Sequence, residues 1–107
     1  MKALIIAAVA FGALAGTAQA GVSNLNYLEA ARCRGLAASE NLGKLDTAAL
    51  DAFLRDEGAS RDLAVRTSAI KKIEAARKEA DAAEGDQKAK LLAHRESACA
   101  GYLAGEK

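Results

Sequence analysis

The sequence has no proline, no tryptophan, one histidine and two cysteines in 107 residues, and tyrosine and phenylalanine occur twice each. Each shortage removes a class of chemistry. A lone His94 cannot form a histidine pair, and neither Cys33 nor Cys99 has a second cysteine or histidine at ligand spacing, so the patterns that hold zinc are missing. There is no C-x-x-C redox pair, no C-x-x-C-H haem attachment and no glycine-rich phosphate loop. His94 and Ser97 can meet on a helix, but an activated nucleophile also needs a third group to orient its base, and no pattern marks one. We therefore assign no catalytic residue, no metal and no cofactor, and do not expect an enzyme.

Long apolar runs are missing too, with one exception at the start, MKALIIAAVAFGALAGTAQA. Lys2 supplies a basic start, residues 3–14 an uncharged apolar core, and Ala18-Gln19-Ala20 a small-x-small site. This order predicts a signal peptide over residues 1–20, cleaved after Ala20, and a mature helical domain over 21–107 that begins at Gly21. No cysteine near the cleavage site marks a lipoprotein, and no twin arginine precedes the apolar run. The expected destination is the periplasm of a bacterium, or the medium, with no membrane association once the leader is removed.

Neither sign of charge dominates what remains. Lys2 is the leader's only charge, so of 15 basic residues 14 stay, against 14 acidic ones. A neutral, mixed surface has no field to draw in a polyanion, which argues against a nucleic acid or an anionic membrane as partner. Large apolar side chains are scarce as well: the mature region holds twenty alanines and eleven leucines, but two isoleucines and two valines. So thin a core sets little hydrophobic stabilisation against ordering entropy, and a covalent constraint would help.

What is abundant is helix-forming: Ala, Leu, Glu, Lys and Arg, with no strand-like alternation. The fold class expected is all-α, a small helical bundle of three to four helices stapled by one disulfide after the signal peptide. Ser23 or Asn24 caps a first helix running to about Leu42, with Leu25, Leu28, Cys33 and Leu36 on its apolar side and Gly43 as its stop. Asp46 caps a second, with Leu45 and Leu50 as a staple, Leu50, Phe53 and Leu54 buried, and Gly58 as its end. A third starts near Ser60, buries Leu63, Ala69, Ile70, Ile73, Ala76 and Ala80, and breaks at Gly85-Asp86. The fourth, capped by Asp86, turns Leu91, Leu92, Cys99, Tyr102 and Leu103 inward until Gly105. Glu74 with Lys78, and Arg77 with Asp81, read as self-paired surface charges.

Export into an oxidising compartment leaves two cysteines with one intramolecular pairing, so a Cys33–Cys99 disulfide is expected. Gly35 and Gly101, each two residues beyond a cysteine, suggest close helix approach or a bend. Arginines also interrupt the apolar stripes: Arg32 lies between Leu28 and Leu36, Arg66 and Arg77 flank Ile70 and Ile73, and Arg95 falls between Leu92 and Cys99. Their aliphatic stems can cover a small core while the guanidinium groups reach water. A sharper expectation is that Arg32 and Arg95 converge with Glu29 or Glu96 into a polar cluster.

These features point to a small exported helical protein that binds another envelope protein through a helix face. Two alternatives stand beside it. In size, leader and cysteine number the chain is similar to small periplasmic acid-stress chaperones, a likeness of dimensions that implies a holdase made cationic when its carboxylates are protonated. An enzyme or small-ligand binder is the other.

Overall fold

The computed structural model describes residues 22–105. The expected leader and its expected cleavage residues Ala18, Ala20 and Gly21 lie outside the described residues. Within them the fold is all-helical, with five helices and one disulfide: α1 (Asn24–Ala37), α2 (Ala48–Gly58), α3 (Leu63–Ala82), α4 (Gly85–Ser97) and α5 (Ala100–Leu103).

Ser23 caps α1, its hydroxyl accepting the Asn26 N–H at 3.0 Å. The helix stops at Ala37 and does not reach Leu42. Side chains that bond to backbone and to α3 compete with a further helical turn there. Buried Ser39 accepts the Leu42 N–H at 3.1 Å and donates to Asp81 at 2.7 Å, while Asn41 donates to the Ala80 and Ala83 carbonyls. Gly43, at φ +94°, then turns the chain in the left-handed region. Asp46 accepts the Ala48 N–H at 2.9 Å as α2 begins, and α2 ends at Gly58 as the sequence suggests. Thr47, not Asp46, is the residue before α2, and Leu45 is 42% exposed.

Helix α3 begins at Leu63 rather than near Ser60, with the Asp62 carbonyl receiving the first amides. Its break from α4 is real but falls two residues early, at 83–84. Glu84, not Asp86, is the residue before α4, and Gly85 takes φ +52°. The expected fourth helix divides in two at Ala98-Cys99.

Contacts at either end give the directions. Asp51 meets Arg34 and Gly58 meets Tyr27, so α2 runs antiparallel to α1. Arg61 meets Asn24 and Asp81 meets Ser39, so α3 returns parallel to it. Arg95 on Leu36, Cys99 on Cys33 and Tyr102 on Glu29 run down α1 as the chain advances, which makes α4–α5 antiparallel to α1.

The main core gathers Cys33, Leu36, Leu42, Leu50, Leu91, Cys99 and Tyr102 with Ala30, Ala76 and Ala80. A smaller cluster places Tyr27, Ala31 and Ala69 under Leu28, Leu54, Val65 and Ile73. Three residues expected in the core are outside it: Leu25, Leu63 and Ile70 are 76%, 69% and 59% exposed. The α1–α3 seam explains the displacement. A Cβ on Gly35 would collide with the Ile73 carbonyl and lie 2.8 Å from Ala76 Cβ, so the backbones meet through small residues. Ala69, Ala76 and Ala80 occupy that seam, and Ile70 is turned off it.

Candidate functional site

Cys33 and Cys99 form the expected disulfide, Cα to Cα 5.5 Å, with both residues fully buried. The expected polar cluster does not assemble. Arg32 pairs with Glu79 of α3 at 3.0 Å, and Glu29 accepts from the Tyr102 hydroxyl at 3.1 Å. Burial, and then the bond to Glu29, raise the Tyr102 pKa. Arg95 turns instead toward backbone: it donates to the Leu36 carbonyl at 3.1 Å, Leu42 at 2.8 Å and Gly43 at 2.7 Å. The Leu36 carbonyl lies in the last turn of α1, at the negative end of its dipole, and the Leu42 and Gly43 carbonyls lie in the loop that follows, so backbone acceptors hold this guanidinium in place of a carboxylate. Nor does it reach water, since Arg95 is only 7% exposed. Burial lowers its pKa, and exposed Glu96 acts only by partly opposing that shift.

Ser97 donates to the Ala93 carbonyl at 2.9 Å, and His94 Nε2 is buried with no hydrogen-bond partner, so Ser97 and His94 do not act as a pair. Among the described residues no three His, Cys, Asp or Glu side chains are grouped to hold a metal. Asp81 and Arg77 are neighbours as expected, but the Ser39 hydroxyl is the main cause of the lowered Asp81 pKa and the Arg77 charge a smaller one.

The feature with the shape of a binding site is a groove that sequence reasoning missed. Helices α2 and α3 both rest on α1, joined by the short 59–62 connection. Arg61 clamps that connection, bonding Val22, Asn24 and Glu57 and stacking 4.8 Å over the Tyr27 ring. Gly58 lets α2 sit against Tyr27, where a Cβ would lie 2.8 Å from the hydroxyl. Between α2 and α3 the surface stays open. One depression of about 480 Å³ holds Tyr27, Leu54, Ala69, Ile70 and Ile73, with Arg55 and Arg66 beside them and no carboxylate in its lining. It continues through Leu54 and Ile73 into a second of about 540 Å³, floored by Arg34 and Ala38 and edged by Glu74 and Arg77. That leads to a more polar end of about 630 Å³ near Lys44 and Asp81.

The lining is apolar at its centre and basic along much of its lip. Arg34 is neutralised by Asp51 at 2.5 Å. Among the described residues Arg55 pairs only with the solvated Asp56, at 3.4 Å, a pair worth little. The signal for this site was present in the sequence as Arg66 and Arg77 set four residues outside Ile70 and Ile73, a bracket that reads equally as arginine stems over a core. Comparison with known proteins assigns no family: no family model matches the chain, and no curated protein or solved structure matches it.

Proposed function

We propose that this is an exported helical interaction protein, without enzymatic activity, that holds a segment of another envelope protein in the groove between α2 and α3. The observation that carries the reading is that Ile70 is 59% exposed beside Leu54 and Ile73, in an open trough flanked by two helices. Apolar surface gathered in a concave site marks an interaction surface more than scattered exposed leucines do. The leader and the buried disulfide support export, and the bundle stapled by that disulfide gives the groove a fixed floor.

Expression of the full chain with its leader tests both parts. Intact mass of the exported protein should correspond to a start at Gly21. A photo-crosslinking residue at Ile70 should form a discrete adduct that is absent when the probe is placed at exposed Ala89 of α4. Retention of residues 1–20 on the exported protein overturns cleavage after Ala20, absence of the protein from the exported fraction overturns export, and identical adducts from the two positions, or none from Ile70, overturn the groove. The exposure of Leu25 and Leu63 supports a second reading, a holdase with dispersed apolar contacts. Protection of an aggregating client at low pH that survives Ile70→Asp would favour it.

A further inference from the structure

We infer that the occupant of the α2–α3 groove is an acidic amphipathic helix of a partner protein, its apolar stripe on Leu54, Ile70 and Ile73 and its carboxylates on Arg55, Arg66 and Arg77. This rests on the reading of the groove as the binding surface and adds the chemistry of what binds. The shape selects a helix. Two helices form the walls and α1 the floor, so a helix laid between them completes four-helix packing, with side-chain ridges entering the grooves of its neighbours. The all-helical walls also present no sheet edge to which a strand could bond.

The charge selects its sign. Arg66 has no carboxylate within ion-pair distance among the described residues. Arg77 acts on Asp81, whose carboxylate is bonded mainly by Ser39. Among the described residues, the apolar part of the trough is lined by Arg55, Arg66 and Arg77 and by a single carboxylate not held by a basic residue, Glu74, because Asp51 is held by Arg34, and Asp56, the solvated partner of Arg55, is outside the lining. The mature chain is neutral as a whole, so this excess is local and directs binding to one face rather than to any polyanion. Arg66 and Arg77 are eleven residues apart on α3, about 16 Å along its axis, the length of about three helical turns. The ligand is thus a helix of three to four turns with leucine-like residues at i, i+3, i+4 and i+7 and acidic residues on both flanks.

The probe is a fluorescent helical peptide of that pattern with glutamate flanks, beside a counterpart with lysine flanks and a scrambled acidic peptide of identical composition. Each is titrated against the mature, oxidised protein by anisotropy. The glutamate peptide should bind at least about tenfold more tightly than either other peptide at low salt and weaken as salt rises. R66E/R77E, both at exposed positions, should lower the thermal melt only slightly, through the like charges set four residues from Asp62 and Asp81, and should reverse the preference toward the lysine peptide. Methyl resonances of Leu54, Ile70 and Ile73 locate the binding. If the lysine peptide moves those methyls and binds as well as the glutamate peptide, the groove stands and the acidic partner falls. If no peptide moves them, both fall. If peptides fail but oleate moves them, or they shift with protein concentration as a dimer forms in sedimentation, the occupant is a lipid or a second copy and the inference is overturned.

Discussion

Replacing Arg95 by methionine isolates what a buried cation does for this fold. Methionine keeps an unbranched apolar stem, so packing changes little and the loss reports mainly the guanidinium's three bonds. Bonds from a charged donor contribute about 1.5–3 kcal/mol each, but they do not all survive as net stability. The Leu36 carbonyl keeps the Ser39 N–H at 3.3 Å, and Gly43 is exposed, so its carbonyl can turn to water. Removing the cation also relieves the burial that lowers its pKa. What remains is chiefly the Leu42 carbonyl, in a residue 7% exposed, left without its donor. An unsatisfied buried acceptor costs about 1–3 kcal/mol, so Arg95→Met should destabilise by about 2 kcal/mol and lower Tm by roughly 8–16 °C. Urea unfolding followed by circular dichroism, with an unchanged m-value, measures it. Glu96→Gln should change little, because carbonyls and not that carboxylate hold the guanidinium. A methionine variant as stable as the parent would refute the assignment of Arg95 as the clasp on the end of α1.

Cys33→Ala/Cys99→Ala, closing no loop across 66 residues, should lose about 4 kcal/mol in the chain-entropy model; equal urea midpoints with and without the bond would contradict this. Gly35→Ala gains about 1 kcal/mol of helix propensity but forces a methyl into the α3 backbone, so a net loss of about 1–2 kcal/mol is expected, and a more stable variant would show that the seam can open freely. Asp81 has a lowered pKa in the folded state, chiefly through the Ser39 hydroxyl, so its contribution is present above the ordinary carboxylate pKa of 3.8 and is lost as pH falls through the lower folded value. Urea midpoints measured between pH 6 and 2 should therefore fall less steeply for Asp81→Asn than for the parent.

Helix content, the Cys33–Cys99 pairing and the turn near Gly85 were legible because each is a local or combinatorial signal: propensity, two cysteines, a glycine followed by an aspartate. Boundaries failed where a tertiary contact decided them. Apolar periodicity carries the first helix on to Leu42, and Leu42 is indeed buried, but it reaches the core through a loop whose polar side chains bond to α3. The partners of Arg32 and Arg95 failed for the same reason, since Glu79 and the end of α1 are remote in sequence from them.

The groove was the least legible feature because hydrophobicity is a poor guide to which residues share a seam when that seam requires close approach. Ala69 and Ile70 are adjacent on α3, and burial of the larger would be worth more by area alone. Yet Gly35 brings the helix axes so near that only alanine fits between them, and many short contacts at that distance replace the area lost. Ile70, excluded from the seam, lines a depression with Leu54 of α2, but Arg61 and the short 59–62 connection hold α2 on α1 rather than on α3. An alanine-rich chain with one tight seam thus leaves its few isoleucines at the edge of a trough, and the arginines four residues beyond them on α3 give that trough a charged lip. The scarcity of large side chains that weakens the core and makes the disulfide valuable is the same scarcity that exposes the surface available to a partner.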